Sequence, residues 1–260
     1  MNTISIITIC FNNIEELQRT CASVDNQKTL PFEHIIIDGS TTPEIKNWLE
    51  NSLQPVYRKW VCEKDNGISD AFNKGIKKAS GEIINLLNSG DTLYNEDALK
   101  KVSFAFENSQ GISWCHGKLY IHRSGQWVSI GKPFDAGKLY RGMRGVSHPT
   151  MYIKKELYEK HGLYDTQVKI AMDYDFLCRI ANEKFCFIDN TLVSFDPGGI
   201  SSSKYLSAMQ ECFTCYRKYF GFSLKQKFWG WRLTLLHYLL KSPFGRWLYK
   251  LKLKMGWENI

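Results

Sequence analysis

The chain has 260 residues, of which 43% are hydrophobic, and a formal net charge of +8. This length can bury a full α/β core without covalent staples, so the 8 scattered cysteines indicate reduced thiols and a cytoplasmic setting, and the composition excludes a small disulfide scaffold. No apolar run approaches the roughly 20 residues that a helix needs to cross a bilayer. The opening MNTISIITIC has neither the basic start nor the cleavage site of a signal peptide, so we expect no secretion.

The first half of the sequence alternates strand patterns with helix patterns. Ile4 to Ile9 is a β-branched run, and Asn12 and Asn13 predict a cap for the amphipathic helix that follows. The same unit then recurs as HIIID and PEIKNWLEN, VYRKWVC and SDAFNKGIKKA, and EIINLL and NEDALKKVSFAF. This alternation predicts an α/β fold of the Rossmann-like type, with a mostly parallel sheet and helices on both faces.

The pattern changes after Gly111. ISWCHGKLYIHRSGQWVSI predicts a hairpin that turns at Ser124 and Gly125, and the Gly-rich stretch 131–147 is typical of a mobile loop. DYDFLCRIAN predicts a helix, and KFCFI and LVSF predict two strands. Two helical patterns form a C-terminal extension, one from Tyr205 to Gly221 and one that stops before Pro243.

Carboxylates follow the predicted strands at several points. Asp38, Asp65 and Asp91 come at or just after strand ends, and ligands of open α/β sheets bind beyond those ends. Carboxylate oxygens suit a hard cation such as Mg²⁺ or Mn²⁺ together with substrate phosphates. A nicotinamide site and a P-loop are excluded, since the sequence has neither GxGxxG nor GxxxxGK[ST].

Several sequence blocks, taken in order, resemble one known family. They are SIITICFNN, IIIDGST, EKDNGISDAFNKGIKKASGEIINLLNSGD, HPTMYIKKELYEKHGLYD, AMDYDFLCRI and DPGGIS. Their order and spacing are similar to those of the inverting glycosyltransferases of family 2, which have a GT-A fold. The resemblance covers roughly residues 5 to 201 and is nearest to bacterial enzymes of O-antigen and surface-polysaccharide synthesis. It implies a catalytic domain over residues 1–203 and an extension over residues 204–260.

The resemblance also implies site residues. Asp38 matches the acid that holds the nucleoside, Asp65 the next nucleotide position, and Asp91 the last residue of the metal-binding DxD-like motif, for Mn²⁺ or Mg²⁺. Glu63, Asp70 and Asn73 fall in the block that lines the sugar-nucleotide pocket, and Asp173 matches the catalytic base. The sequence departs from the family pattern at Ser89, in place of the first DxD carboxylate, and at Met172, in place of a Glu.

Other interpretations of these residues stay open at the level of sequence. Asp91 also suits a turn, and Asp173 also suits a helix cap. Asp175 is expected to serve structure or acceptor positioning, and His148 to make a hydrogen bond in the core or a loop, with a phosphate or acceptor contact as the second interpretation. Cys212 and Cys215 predict buried structural thiols, and Gly198 with Gly199 a hinge or a plain turn.

The C-terminal extension holds the excess positive charge. Residues 204–260 contain 11 Lys and Arg against 2 Asp and Glu, interleaved with Trp and Phe. This mixture is typical of a helix on an anionic membrane. The alternative is that the aromatic residues pack on the catalytic domain, and nucleic acid is not expected as a partner because no recognition motif accompanies the charge.

The sequence and the resemblance together predict a function. We expect a peripheral enzyme on the inner face of the cytoplasmic membrane that transfers a hexose from a nucleotide sugar, UDP-linked, to a polyprenyl-diphosphate-linked saccharide in O-antigen synthesis. The competing hypothesis is a non-catalytic GT-A-fold scaffold that docks on the membrane.

Overall fold

One mixed sheet, surrounded by helices, organises the protein. The computed structural model describes residues 2–123, 125–195, 205–243 and 245, and all bounds below refer to these residues. The strands are β1 (Ile4–Cys10), β2 (Glu33–Asp38), β3 (Arg58–Cys62), β4 (Ile83–Leu86), β5 (Thr92–Leu93), β6 (Trp114–Arg123), β7 (Gln126–Ile130), β8 (Tyr152–Lys154) and β9 (Phe185–Ser194). The helices are α1 (Ile14–Asp25), α2 (Glu44–Asn51), α3 (Ile68–Lys78), α4 (Ala98–Asn108), α5 (Lys155–His161), α6 (Met172–Arg179), α7 (Tyr205–Phe220) and α8 (Leu224–Lys241).

The first four strands form the parallel half of the sheet, in the order β3-β2-β1-β4. Their β-branched runs are buried on both faces: Ile35 and Ile37 pack into the core that α3 covers, while Ile36 packs into a second core with helices α1 and α2. The predicted doubly covered α/β sheet is confirmed. All four strands end at the same edge, which brings the segments after Asp38, Cys62 and Leu86 together.

The rest of the sheet mixes both strand directions. β8 pairs antiparallel with β4 and with β6, and β6 pairs parallel with β9. The predicted hairpin is confirmed by the β6–β7 pairing, and Gly125 has the positive φ of 84° that its turn requires. Ser124, the other predicted turn residue, lies outside the described residues.

One local prediction is wrong. The segments KFCFI and LVSF are one strand, β9, because a register shift against β6 lets the ladder continue past Asp189 and Asn190. Asn13 holds the predicted N-cap position of α1, but its side chain makes no capping hydrogen bond and accepts instead from the Phe11 N–H.

Both predicted C-terminal helices are present. α7 ends at Gly221, whose φ is 72°, and α8 ends two residues before Pro243. α7 packs on α6, and its Cys215 is buried in the main core. The first helix of the extension is therefore part of the packed body of the protein, and the predicted domain boundary at residue 203 lies outside the described residues.

Candidate active site

Asp173 lies in the first turn of α6 and lines a cleft of about 380 Å³. Its Oδ2 is 4.0 Å from Nδ1 of His148, and its Oδ1 accepts a 2.7 Å hydrogen bond from the Tyr174 N–H. The side chain keeps 31% exposure, so a substrate hydroxyl can reach the carboxylate. Ala171, and not Asp173, holds the N-cap position, which disfavours the alternative capping role.

Burial moves the pKa values of this pair in opposite directions. It raises the pKa of Asp173 to about 6, because the carboxylate loses hydration, and it lowers the pKa of His148 to about 4 for the corresponding reason. At pH 7 Asp173 is therefore an anion with raised basicity, and His148 is a neutral imidazole. A carboxylate with a pKa near the working pH is suited to general-base chemistry.

His148 connects Asp173 to the segment after β4. Its Nε2 is 3.3 Å from the side-chain nitrogen of Asn88. With that amide donating to Nε2, the imidazole proton lies on Nδ1, the nitrogen nearer to Asp173. Hydrogen bonding in a loop was the first of the two roles expected for His148, and this role is confirmed. Its position beside the carboxylate was not predicted.

The turn that carries Asp91 is held by Thr20 of α1. The Thr20 hydroxyl donates to the Asp91 carbonyl at 2.7 Å and accepts from the Gly90 N–H at 3.0 Å. Gly90 has a φ of 100°, which favours glycine at this point of the turn. Asp91 is therefore a rigidly placed turn residue, only 3% exposed, at the carboxyl edge of the sheet.

Oxygen atoms beside Asp91 suit a hard cation. Ser89 Oγ and Asn88 Oδ1 are buried, and neither has a hydrogen-bond partner among the described residues. Mg²⁺ and Mn²⁺ prefer such oxygen donors and take further ligands from substrate phosphates. No group of three or more His, Cys, Asp or Glu side chains that could hold a metal ion gathers in the described part of the chain.

Asp38 and Asp65 lie together at the ends of β2 and β3. Asp38 is buried, and its Oδ1 accepts from the Ser40 N–H at 3.0 Å. Asp65 packs directly on Gly39, where an added Cβ atom would lie 1.9 Å from Oδ2 and would force the Asp65 carboxylate to move. Among the described residues that line the Asp173 cleft, neither acid is present. The two predicted nucleotide-binding acids therefore form a separate part of the same sheet edge.

The remaining predicted pocket residues make contacts within the protein. Lys74 Nζ bridges Glu63 at 3.0 Å and Asp70 at 3.7 Å, and Asp70 also accepts from the Asn66 N–H. Asn73 is buried, and its amide group both donates to and accepts from the backbone of Tyr164. These residues shape the loop before α3 and fix Tyr164, which lines the cleft.

Helix α7 fixes the segment that presents Asp173. Glu211 Oε2 accepts from the N–H groups of Ile170 and Ala171 at 2.7 and 2.9 Å. Asp175, fully buried, pairs with Arg179 at 3.1 Å and accepts from the Tyr219 hydroxyl at 2.9 Å, which confirms its predicted structural role. No sequence pattern marks Glu211, because its partners are backbone groups about 40 residues away.

Three other predictions concern the two cysteines of the extension, the segment 131–147 and the predicted glycine hinge. Cys215 is buried as predicted, while Cys212 is partly buried and lines the cleft, and desolvation raises the pKa of both thiols. The stretch 131–147 contains a short 3-10 helix, Ala136–Arg141. The predicted hinge at Gly198 and Gly199 lies outside the described residues.

Comparison with solved structures identifies the fold class. The structure resembles S. aureus TarS 1-349 solved with UDP-GlcNAc, at a TM-score of 0.62 and 16% identity over 88% of this chain and 70% of that one. It also resembles a mannosyltransferase from Pyrobaculum calidifontis solved with GDP-Man and Mn²⁺, at a TM-score of 0.64 and 14% identity over 99% of this chain and 81% of that one. The fold is thus that of the GT-A glycosyltransferases.

Sequence comparison gives the family. The sequence model of Glycosyl transferase family 2 matches residues 5–162, and the chain belongs to that family of glycosyltransferases. An uncharacterized glycosyltransferase of Mycobacterium tuberculosis is 30% identical over 99% of this chain and 96% of its own length. A PGL/p-HBAD biosynthesis glycosyltransferase of the same organism is 24% identical over 75% of this chain and 69% of its own length. The predicted family and enzyme class are confirmed.

Within the described ranges, each helix is too short or too polar to cross a bilayer.

Proposed function

We propose that the protein is an inverting hexosyltransferase that uses a UDP-sugar and a lipid-linked saccharide acceptor in bacterial surface-polysaccharide synthesis, of the O-antigen kind. The observation that carries the proposal is the position of Asp173: a half-buried carboxylate with a raised pKa, beside a neutral His148, in an open cleft at the carboxyl edge of the sheet. Membership of family 2 and the UDP-GlcNAc complex of TarS support the choice of reaction and of donor.

The chemistry requires one base and one route for the leaving group. The acceptor hydroxyl oxygen attacks the anomeric carbon, Asp173 takes the hydroxyl proton, and the bond to the diphosphate breaks with its electron pair leaving on UDP. A single displacement without a protein nucleophile inverts the anomeric centre. The predicted donor contacts are Asp38 and Asp65, with Glu63, Asp70 and Asn73 shaping the wall of the pocket.

A divalent cation is part of the proposal. Asp91 would hold Mn²⁺ or Mg²⁺ with the neutral oxygens of Ser89 and Asn88, and the cation when bound neutralises charge on the departing diphosphate. The Mn²⁺ complex of the Pyrobaculum mannosyltransferase supports this assignment. The protein's own contribution is the fixed turn, which Thr20 holds from α1.

The acceptor and location are inferred from the C-terminal extension. α8 exposes a row of large apolar side chains together with basic ones, as expected of a helix that lies on an anionic membrane surface. The name of the PGL/p-HBAD biosynthesis relative is consistent with a role in cell-surface glycolipids. We therefore propose a peripheral enzyme on the cytoplasmic face, where lipid-linked acceptors are within reach.

A panel of sugar nucleotides tests the proposal. Purified protein with Mn²⁺ is incubated with UDP- and GDP-linked hexoses, and release of the nucleoside diphosphate is followed with and without a lipid-extract acceptor. We expect turnover with a UDP-sugar that increases with acceptor. Absence of both hydrolysis and transfer across the panel would favour the non-catalytic scaffold.

A further inference from the structure

A second groove, distinct from the Asp173 cleft, lies between the segment 131–147 and helix α8. Its volume is about 740 Å³. Its lining contains five basic side chains and one acid, a net charge of +4; the basic residues are Lys132, Lys138, Arg141, Arg144 and Arg232, and the acid is Asp135. Asp135 forms its ion pair with Lys138 at 2.7 Å, so the lining as a whole keeps an excess of basic over acidic side chains.

Three guanidinium groups converge on one aromatic ring. The central carbons of Arg141, Arg144 and Arg232 lie 5.2, 5.0 and 4.9 Å from the ring centroid of Trp229. Each contact with the ring is favourable, but like charges around a shared ring repel one another. Neither Arg141 nor Arg232 has a carboxylate within ion-pair distance among the described residues. Such a cluster gains stability when an anion binds it.

A fourth donor belongs to the same site. The indole Nε1 of Trp229 is buried and has no acceptor in the part of the chain that the structure describes. An indole N–H can only donate, and a buried donor without an acceptor is costly. An anion in the groove can accept from Trp229 as well as from the guanidinium groups. The donor set therefore indicates a ligand with several anionic oxygens, which phosphate groups provide.

The groove connects the catalytic cleft with the apolar face of α8. Met143, Val146 and Ser147 line both the groove and the Asp173 cleft, and Ser147 directly precedes His148. On its other side, α8 exposes Phe228, Trp231 and Leu235. A ligand with its anionic head in the groove can thus place one end toward Asp173 and an apolar chain along α8.

We propose that this groove binds the diphosphate of the lipid-linked acceptor, with Arg141, Arg144, Arg232 and Trp229 Nε1 as its donors and the hydrocarbon chain on the exposed face of α8. The assignment rests on the proposed transferase function and specifies where the acceptor binds. The donor's own diphosphate is expected elsewhere, at the sheet edge near Asp38, Asp65 and Asp91, so the two diphosphates occupy two sites.

Vesicle binding tests the assignment without any turnover. The full chain is co-sedimented with phosphatidylcholine vesicles that contain a polyprenyl diphosphate, the corresponding polyprenyl alcohol, or phosphatidylglycerol. We expect preference for the diphosphate vesicles and competition by inorganic pyrophosphate. Arg232→Gln and Arg141→Gln should each weaken this binding about tenfold, because each removes charge-assisted hydrogen bonds. Trp229→Phe, which keeps an aromatic ring but loses the indole N–H, should weaken it less.

Lys225→Gln is the matched control. Lys225 is exposed on α8 outside the lining of the groove, and its replacement changes the net charge by the same amount. Equal binding to diphosphate and phosphatidylglycerol vesicles, or equal losses in Lys225→Gln and Arg232→Gln, would overturn the groove assignment in favour of nonspecific attraction.

Kinetic constants and vesicle binding together distinguish failure of the groove assignment from failure of the proposed transferase function. In transfer assays, the arginine variants should raise the acceptor KM about tenfold and leave the donor KM and acceptor-free hydrolysis unchanged. Transfer with unchanged acceptor KM in these variants would refute the groove alone. Diphosphate-selective vesicle binding without turnover on any sugar nucleotide would support the groove and refute the transferase function.

Discussion

Asp173 combines two properties that a structural carboxylate rarely has together: partial exposure in a cleft and a pKa raised by desolvation. A folded-state pKa near 6, above the ordinary value, means that the folded protein binds an extra proton between about pH 4 and 6. The charge of Asp173 therefore costs stability that is fully felt only above pH 6. The folded protein therefore gains no stability from an ionised carboxylate at this position.

Replacing Asp173 should separate activity from stability. Asp173→Asn removes the base, and we expect transfer to fall at least about 100-fold. The free energy of unfolding at pH 7 should stay unchanged or rise by up to about 3 kcal/mol, since a desolvated charge is lost. Steady-state kinetics and urea unfolding measure the two effects. A variant that transfers at the wild-type rate would refute the base assignment.

The raised pKa of Asp173 predicts how transfer activity depends on pH. Transfer should decline as the pH falls through about 6, because Asp173 becomes protonated in the free enzyme. His148, with its pKa near 4, stays neutral over this range and should not contribute to the decline. The measurement is kcat/KM against pH at saturating metal. An acid limb centred on the ordinary aspartate value, near 4, would contradict the burial-raised pKa.

Asp91 predicts the dependence on metal. Asp91→Asn removes the only carboxylate of the proposed cation site, and the half-saturating Mn²⁺ concentration should rise at least about tenfold. Asp97→Asn is the matched control, since Asp97 lies beyond β5, directly before α4, and pairs with Lys28 at 3.5 Å. Wild-type transfer that continues undiminished in a chelator would remove the metal from the proposal.

At the scale of elements, α7 and α6 act as one unit. Glu211 on α7 accepts from two backbone N–H groups directly before α6, and Tyr219 at the other end of α7 donates to Asp175 on α6. The Asp173 carboxylate lies between these two attachments in sequence. The position of the base is therefore set by a helix that the sequence pattern assigned to the C-terminal extension.

Substitutions of Glu211 test the coupling between α7 and α6. Glu211→Ala leaves two N–H groups without their acceptor and should lower the free energy of unfolding by about 1–3 kcal/mol. It should also lower kcat more than it raises either KM, because the base is displaced. Glu211→Gln retains an acceptor oxygen and should recover part of both losses. Gln210→Ala, at an exposed position on the same helix, is the control; equal effects in the two alanine variants would contradict the coupling.

At the scale of the whole molecule, helix α8 carries an exposed apolar face. Phe228, Trp231 and Leu235 are 69%, 66% and 51% exposed, although each side chain is large and apolar. Basic residues of the same helix lie among them, so contact with an anionic bilayer would bury the apolar groups and neutralise the charge. The membrane hypothesis predicts that binding needs both the apolar side chains and the positive charge of α8.

Substitutions on this face provide the test. The combined Phe228→Ser, Trp231→Ser and Leu235→Ser variant should bind phosphatidylglycerol vesicles at least about tenfold more weakly, since three apolar side chains stay in water. Added salt should weaken the residual binding further. Leu53→Ser with Val56→Ser, two fully exposed positions far along the chain, is the control. Undiminished binding of the α8 variant would exclude this face as the membrane contact.

The sequence alone determined the alternation of strands and helices along the parallel half of the sheet. Strands that are buried on both faces consist of continuous apolar, β-branched runs, such as the isoleucines of HIII, and these runs are visible in the sequence. It also indicated Asp38, Asp65 and Asp91 as acids at or just after strand ends, since strand ends are visible as changes of pattern, whereas Asp173 was indicated by the family resemblance alone. These signals are local, and local patterns can be recognised without knowing which segments later touch.

Only the tertiary structure decided which groups act on one another. The placement of His148 beside Asp173, the clamp of Thr20 on the Asp91 turn, the hold of Glu211 on α6 and the three arginines around Trp229 all join residues from separate elements. Several of these contacts involve backbone groups, which every residue has and no sequence pattern marks. Their energies depend on distance and burial, and both quantities exist only once the chain has folded.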